Sequence, residues 1–328
     1  MPEINLIEAI QQALDEELTR DEDVFLVGND IGELGGLFRT TRGLQAKHGS
    51  QRVIDAPLST SALVGVCIGA AMRGKRPVCE IQLADQLPLA FNQIVNEAAR
   101  IHYRTNGDWI VPLVIRAPYG GGSGGGLYES QSPEAYFTQV PGLKVVIPSN
   151  PYDAKGLLKA AVRDPNPVLF LEPKFGYRYM SGEVPGTDYT VPIGPAIISR
   201  PGQHLTVIAY GMMHALALQA AEKLAAEKQI QTEVIDLRSL YPLDKATILV
   251  SVRATGKALI IHEAGLTGGF GGEIAAMLAD EAFPALKAPV RRLTALDLPA
   301  IPFSPPLHAA HMLNVEKIAA AMQTLVAV

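Results

Sequence analysis

The side chains that could do chemistry stand at the ends of short apolar runs. Val24-Phe-Leu-Val-Gly28 delivers Asn29 and Asp30, Arg52-Val-Ile-Asp-Ala-Pro57 leads to Thr60, and a run from Arg76 ends in Gln82, with Asp85 just beyond. A fourth run, Leu113-Val-Ile115, leads through a glycine loop to Glu129. Amides, hydroxyls and carboxylates at strand ends can hold a ligand and move protons if they converge on one crevice. Strand ends also expose polar groups simply to solvent, so on these residues alone both readings stand. There is no Gly-x-Ser-x-Gly elbow, no Ser-His-Asp order and no histidine pair at metal spacing, which leaves hydrolase and metalloenzyme chemistry without support. The seven histidines are scattered and read as surface or satisfied core residues. His262 and Glu263 precede a second glycine loop, Gly265-Leu-Thr-Gly-Gly-Phe-Gly-Gly272, which reads as a contact surface sooner than a catalytic site.

The elements that must position these groups are organised around the first glycine loop. Leu113 to Ile115 suits a buried parallel strand, and Pro118, which brings no N–H to a ladder, should stop it. Six glycines around Ser123 allow positive φ and close approach to a ligand or another chain. Ser132, Pro133 and Glu134 then read as N-cap, first helical residue and an acid favoured by the helix dipole. Gly120, Gly122 and Gly125 satisfy Gly-x-Gly-x-x-Gly, but the acidic ribose ligand expected about 20 residues later is missing. No Lys-Ser or Lys-Thr follows for a nucleotide P-loop either. A site or a subunit contact is favoured over a flexible linker, because ordered elements abut both ends.

Alternation of strands and helices continues on both sides. Helices are expected over 4–18, 61–72, 89–103 and 152–162, and strands over 24–28, 52–57, 76–82, 143–148 and 167–172. From 173 to 203 the periodicity lapses into a proline-rich stretch that reads as an interdomain linker, with the boundary near residue 190. Strands over 205–210, 232–237, 258–264 and 290–295 then alternate with helices over 215–227, 244–252, 271–282 and 315–325. The fold class is therefore α/β: two doubly wound domains, residues 1–190 and a smaller one at 204–328.

A length of 328 residues with 48% hydrophobic content is ample for two cores. The net charge of -5 and the lack of a basic cluster with aromatics argue against nucleic acid. The apolar stretch Ala62 to Met72 is too short to span a bilayer, so no membrane partner is expected. Acidic residues sit where a signal peptide needs basic ones, and Cys67 and Cys79 form neither a disulfide framework nor a C-x-x-C site. A reducing cytoplasm fits best.

Several ordered blocks resemble one family. Gly28-Asn-Asp-Ile-Gly with Gly35-Gly-Leu-Phe-Arg39, Arg52-Val-Ile-Asp-Ala-Pro-Leu58, Glu80-Ile-Gln-Leu-Ala-Asp85, Gln93-Ile-Val-Asn-Glu-Ala-Ala-Arg100, Ser130-Gln-Ser-Pro-Glu134, Pro141-Gly-Leu-Lys-Val-Val146 and Thr267-Gly-Gly-Phe-Gly-Gly-Glu273 carry the match. They resemble the β subunit of the thiamine-diphosphate-dependent decarboxylase component of 2-oxo acid dehydrogenase complexes, of pyruvate or branched-chain type. The resemblance implies a pyrimidine-binding domain followed by a transketolase-type C-terminal domain. It implies an α2β2 heterotetramer in which thiamine diphosphate lies between α and β, with acyl transfer to the lipoyl groups of an acyltransferase core. The α chain brings the diphosphate and magnesium motif that begins Gly-Asp-Gly, and no Gly-Asp-Gly occurs here.

Carried over position by position, the resemblance assigns Asn29, Leu58, Ser59, Thr60, Gln82 and Gln86 to the cofactor and Glu129 to catalysis. It also implies a potassium ion held by Leu113, Ala161, Asp164 and Asn166. Leu58 and Gln82 are the family's own residues. At Asn29 the family usually has glutamate, at Thr60 the glutamate that hydrogen-bonds the aminopyrimidine, at Gln86 an aromatic residue, and at Glu129 a histidine active in proton transfer. Threonine offers a ring nitrogen only a neutral hydroxyl, and loss of a positioned acid–base group costs on the order of 10²–10⁴ in rate. Two expectations follow: a working β subunit with altered chemistry, or a catalytically silent β-like chain with a structural or regulatory role.

Overall fold

The computed structural model describes residues 2–122 and 124–328; Met1 and Ser123, at the centre of the glycine loop, lie outside the described residues. In chain order the strands are β1 (Glu3–Asn5), β2 (Val24–Gly28), β3 (Val53–Asp55), β4 (Arg76–Glu80), β5 (Val114–Tyr119), β6 (Lys144–Val146) and β7 (Val168–Pro173). They continue as β8 (Ser181–Glu183), β9 (Ile197–Arg200), β10 (Leu205–Ala209), β11 (Thr232–Asp236), β12 (Ser239–Tyr241), β13 (Ala258–Gly265) and β14 (Arg291–Ala295). Seven of them form one sheet in the order β12-β6-β7-β5-β4-β2-β3, and five form a second in the order β14-β13-β10-β11-β9. The central strands β5, β7 and β10 are buried along their whole length, as parallel strands covered by helices on both faces must be. Two α/β layers with mainly parallel sheets result.

The ladder sets the site. Parallel pairing places Gly28 beside Asp55 and Glu80, and Glu80 beside Arg116, so the ends of β3, β2, β4 and β5 come out along one edge. The helix Thr60–Met72 begins at that edge and is apolar all round. Its outer face leaves Val66 67% exposed, and nothing lies within 4 Å of where a side chain on Gly65 or Gly69 would start.

Several expectations fail for physical reasons. Pro118 does not stop β5, which pairs with β7 through Tyr119; β4 ends opposite Arg116, so proline sits where only one neighbour needs bonding. The helix expected over 89–103 is instead a 3₁₀ segment Ala84–Ala90 containing Pro88, a π-helix Gln93–Ala98 and one short turn Ile101–Arg104. The apolar spacing had the right sign, since Ile94, Val95, Ala98 and Ile101 are buried, but not the hydrogen-bond pattern. Ser132 does not cap the next helix, Glu134–Thr138, whose Glu134 is buried and accepts the Tyr210 hydroxyl at 2.8 Å. The stretch 173–203, expected as the interdomain linker, carries two short strands: β8 pairs with β1, and β9 is the antiparallel edge of the second sheet. β12, from the second half of the chain, closes the first sheet against β6, and both apolar cores draw residues from both halves. No helix among the described residues is long and apolar enough to cross a membrane.

Candidate functional site

Asn29, Leu58, Ser59, Thr60, Gln82 and Gln86 converge on one small crevice with Pro57, Leu63, Glu80 and Ile81. Each arrives by its own strand end: Asn29 after β2, the 57–60 turn after β3, and Glu80 to Gln86 after β4. The enclosed space is ≈ 10 Å³, room for one water-sized body at most. A larger ring must therefore lie on its rim, where Leu58 is 64% exposed. Leu89 and Phe91, which follow Gln86 along the chain, are exposed as well.

The polar groups are sparsely engaged. Asn29 Nδ2 donates to the Ala56 carbonyl at 3.4 Å, and Gln82 Nε2 donates to Asp30 at 3.3 Å. Thr60 is buried, and its hydroxyl has no hydrogen-bond partner among the described residues. Gly28 must be glycine, because a Cβ would stand 2.9 Å from the Glu80 carbonyl.

Glu80 was not singled out as a site residue from the sequence, and among the described residues it is the one ionisable residue that lines the crevice. Its Oε2 accepts Arg116 Nη1 at 2.8 Å and the Thr40 hydroxyl at 3.3 Å. Arg116 in turn holds Glu172 with two N–H groups, at 2.7 and 3.1 Å, and Tyr177 donates its hydroxyl to Glu172. Burial raises the Glu80 carboxyl above its ordinary range; Arg116 opposes this and Glu172 adds to it. The sequence signal was present, a glutamate at a strand end, but its partners Arg116 and Thr40 lie 36 and 40 residues away along the chain and are brought together only by the fold.

Glu129 lies beside the crevice and does not line it. Its side chain is exposed, Lys174 Nζ donates to its carbonyl, and the next two backbone N–H groups are held by Asp85 Oδ1 at 3.2 Å each. Burial lowers the Lys174 ammonium, against the pull of Asp85, Glu129 and Glu263.

The glycine loop packs on the second domain. A Cβ on Gly121 would meet Ile301 at 2.9 Å, and one on Gly126 would meet Phe303 at 2.2 Å. Glu263, at the end of β13, accepts the Gly121 N–H at 2.5 Å, and burial pushes its carboxyl up to about 7. Glu263 also lines a ≈ 570 Å³ cavity between the domains with Ser130, Thr267, Asp297 and His311. His262 is not a satisfied core histidine: it is fully buried, both ring nitrogens lack partners, and burial with Arg292 nearby holds it down to about 4. The second glycine loop wraps this ring, since a Cβ on Gly269 or Gly271 would come within 2.7 Å of it.

The four residues assigned to potassium sit around one corner but are largely engaged. Asp164 is paired with Lys144, and its other oxygen accepts the Asn166 N–H at 2.9 Å. Asn166 Oδ1 meets His102 at 2.6 Å, while the carbonyls of Leu113 and Ala161 each accept one backbone N–H. Each carbonyl keeps a second lone pair.

Comparison with known proteins places this geometry. A transketolase pyrimidine-binding domain matches residues 2–180, and a transketolase C-terminal domain matches residues 194–318. The chain is 50% identical over 99% of both chains to the 2-oxoisovalerate dehydrogenase subunit beta of Bacillus subtilis, and 47% identical to that of Pseudomonas aeruginosa over 90% of this chain and 88% of that one. It is 42% identical, over 98% of both chains, to a pyruvate dehydrogenase E1 component subunit beta of Acholeplasma laidlawii. A solved split-gene transketolase, described as an inactive beta4 tetramer, superposes with a TM-score of 0.80 at 25% identity, over 99% of this chain and 98% of that one. The chain belongs to the family of β subunits of the 2-oxo acid dehydrogenase decarboxylase component, built on the transketolase-like fold.

Proposed function

We propose that this chain is a working half-site for thiamine diphosphate, completed by an α chain in an α2β2 heterotetramer that oxidatively decarboxylates a branched-chain 2-oxo acid. The observation that carries this is the convergence of all six assigned residues on one crevice whose rim is exposed and apolar. Leu58, Val66, Leu89 and Phe91 would be costly to leave in water, and a second chain covers them at a gain of roughly 25 cal/mol per Å². The names of two of its relatives, at 50% and 47% identity, support 2-oxoisovalerate over pyruvate as the substrate class.

The residues present suit the ring half of the cofactor. The hydroxyl of Thr60 has no partner among the described residues and can meet a ring nitrogen; Gln82 and Asn29 offer amide groups to ring substituents, and Leu58 gives an apolar support. When bound, thiamine diphosphate would supply the nucleophilic carbon and the electron sink that decarboxylation of a 2-oxo acid needs. The chain itself orients the ring, excludes water through the apolar rim and leaves the Glu129 side chain exposed, its carbonyl held by the buried Lys174. The acyl group then passes to the lipoyl domain of an acyltransferase core. We divide the chain near residue 190, place a potassium ion among Leu113, Ala161, Asp164 and Asn166, and place the protein in the cytoplasm, where its two buried thiols stay reduced.

The test is reconstitution with the α chain, followed by decarboxylation assays on 2-oxoisovalerate and pyruvate. Turnover on 2-oxoisovalerate that exceeds turnover on pyruvate supports the proposal. A complex that forms, binds thiamine diphosphate and turns over neither acid would make this a silent structural subunit.

A further inference from the structure

The crevice lacks the two glutamates its family resemblance leads one to expect, yet it is not without an acid. Glu80 is the last residue of β4, in register between Gly28 and Arg116, so its backbone is pinned by two neighbouring strands. Its side chain is gripped as well. A Cβ on Gly36 would stand 2.8 Å from Oε1, and the positive φ of Gly36 (+77°) suits glycine there.

The two carboxyl oxygens differ. Oε2 is engaged by Arg116 and Thr40, whereas Oε1 takes no hydrogen bond among the described residues. One guanidinium serves two buried carboxylates, and Glu172 has the stronger claim: two N–H bonds from Arg116 and the Tyr177 hydroxyl. Glu80 is held by a single N–H and is therefore the member of the pair that takes up a proton more readily, in line with its raised carboxyl. The charged and titratable groups facing it are Arg116 from β5, Glu172 from β7 and Tyr177 from the turn that follows.

We propose that Glu80 is the proton-bearing group of this crevice, standing in through Oε1 for the carboxylates replaced by Thr60 and Asn29. This rests on the reading of the crevice as a thiamine-diphosphate half-site. Protonated Glu80 donates Oε1–H toward the ring nitrogen; as the proton crosses, the O–H bond breaks and an N–H bond forms. The carboxylate left behind is stabilised by Arg116, and the proton returns by the same path. Nothing is oxidised and no co-reactant is consumed.

The experiment uses the assembled complex with the α chain, in four forms: unmodified, Glu80→Gln, Glu80→Gln with Thr60→Glu, and Glu172→Gln. Titration calorimetry with thiamine diphosphate between pH 6 and 9 gives a readout independent of turnover. In the unmodified complex, affinity weakens as Glu80 loses its proton; Glu80→Gln binds with a pH-independent Kd. The Glu80→Gln change lowers kcat by about 10² or more, and Thr60→Glu added to it restores most of that loss by supplying a carboxylate from the neighbouring position. Glu172→Gln, which keeps the carboxyl at 80 and gives it all of Arg116, moves the alkaline limb of kcat to lower pH; it keeps the test decisive if Glu80→Gln does not fold. An unchanged pH dependence of Kd together with an unshifted limb in Glu172→Gln would overturn the proposal. Absence of thiamine diphosphate binding by the unmodified complex at every pH would remove the half-site reading itself, and the role of Glu80 with it.

Discussion

Two buried glutamates stand at or near the ends of two strands, and burial raises both carboxyls, but only one of them has a cation in contact. Glu80, 6% exposed at the end of β4, faces a guanidinium that it shares with Glu172. Glu263, 9% exposed at the end of β13, meets only the Gly121 N–H, with Lys174 attracting it weakly from farther off. Arg116 opposes the rise that burial imposes on Glu80 without cancelling it, so an ion pair limits the desolvation cost there. Without such a partner the carboxyl gives up its charge instead, which is why Glu263 is pushed up to about 7. The first arrangement fixes a geometry at the crevice; the second makes the seam between domains sensitive to proton concentration.

The sharpest way to break the contrast is to remove the shared cation. Arg116→Met leaves Glu80 and Glu172 buried without a counter-charge, and loss of one partner of such a network costs about 3–5 kcal/mol. Urea unfolding of the complex should show that loss at pH 7.5 and a partial recovery near pH 5, where the carboxyls can protonate. An unchanged urea midpoint would mean that the network contributes geometry alone.

Glu263 sharpens the comparison from the other side. Its folded carboxyl lies above the ordinary value of 4.5, so the native state binds the extra proton. Its contribution is fully present below about pH 4.5 and is lost as pH rises through about 7. Glu263→Gln removes that loss: relative to the unmodified chain it should gain stability on going from pH 5 to pH 8, by about 3 kcal/mol at most. Thermal melts at the two pH values check this, and parallel pH dependence in both proteins contradicts it.

A smaller effect is expected at Gly120, whose φ is +90° and whose Cβ would lie 2.8 Å from Glu263 Oε1. Gly120→Ala should cost about 1–3 kcal/mol from backbone strain and crowding. Only the crowding part disappears when Glu263 is also replaced by alanine. A double-mutant cycle showing no coupling would place the whole cost in the backbone.

The contrast also explains what could be read in advance. The alternation of β2, β4, β5 and β7 with helices was legible because buried parallel strands are continuous apolar runs, and Asn29, Thr60 and Gln82 were legible because each follows such a run, whereas Leu58, Ser59 and Gln86 came only from the family resemblance. Glu80 and Glu263 were not assigned roles, because burial and partners are long-range facts: Glu80 meets Arg116 across a ladder, and Glu263 meets Gly121 across 142 residues. The Ser132 cap failed for a related reason, since the Tyr210 hydroxyl, from the second domain, draws Glu134 inward. The edge strand β12 was missed because three residues in a turn carry too little pattern.

The smallest effect should come from Asp85, which resembles neither glutamate. It is half-buried, and its Oδ1 accepts the N–H groups of Ser130 and Gln131, fastening the loop that carries Glu129 beside the crevice. Burial raises this carboxyl, and the backbone donors oppose the rise. Asparagine keeps an acceptor oxygen in the same place, so Asp85→Asn should change stability by less than about 1 kcal/mol, whereas Asp85→Ala strands two N–H groups and should cost about 1–3 kcal/mol. The two variants also separate charge from fastening. If the loop is held by hydrogen bonds, hydrogen exchange at Ser130 and Gln131 speeds up in Asp85→Ala alone; equal acceleration in both would assign the hold to the negative charge acting on Lys174.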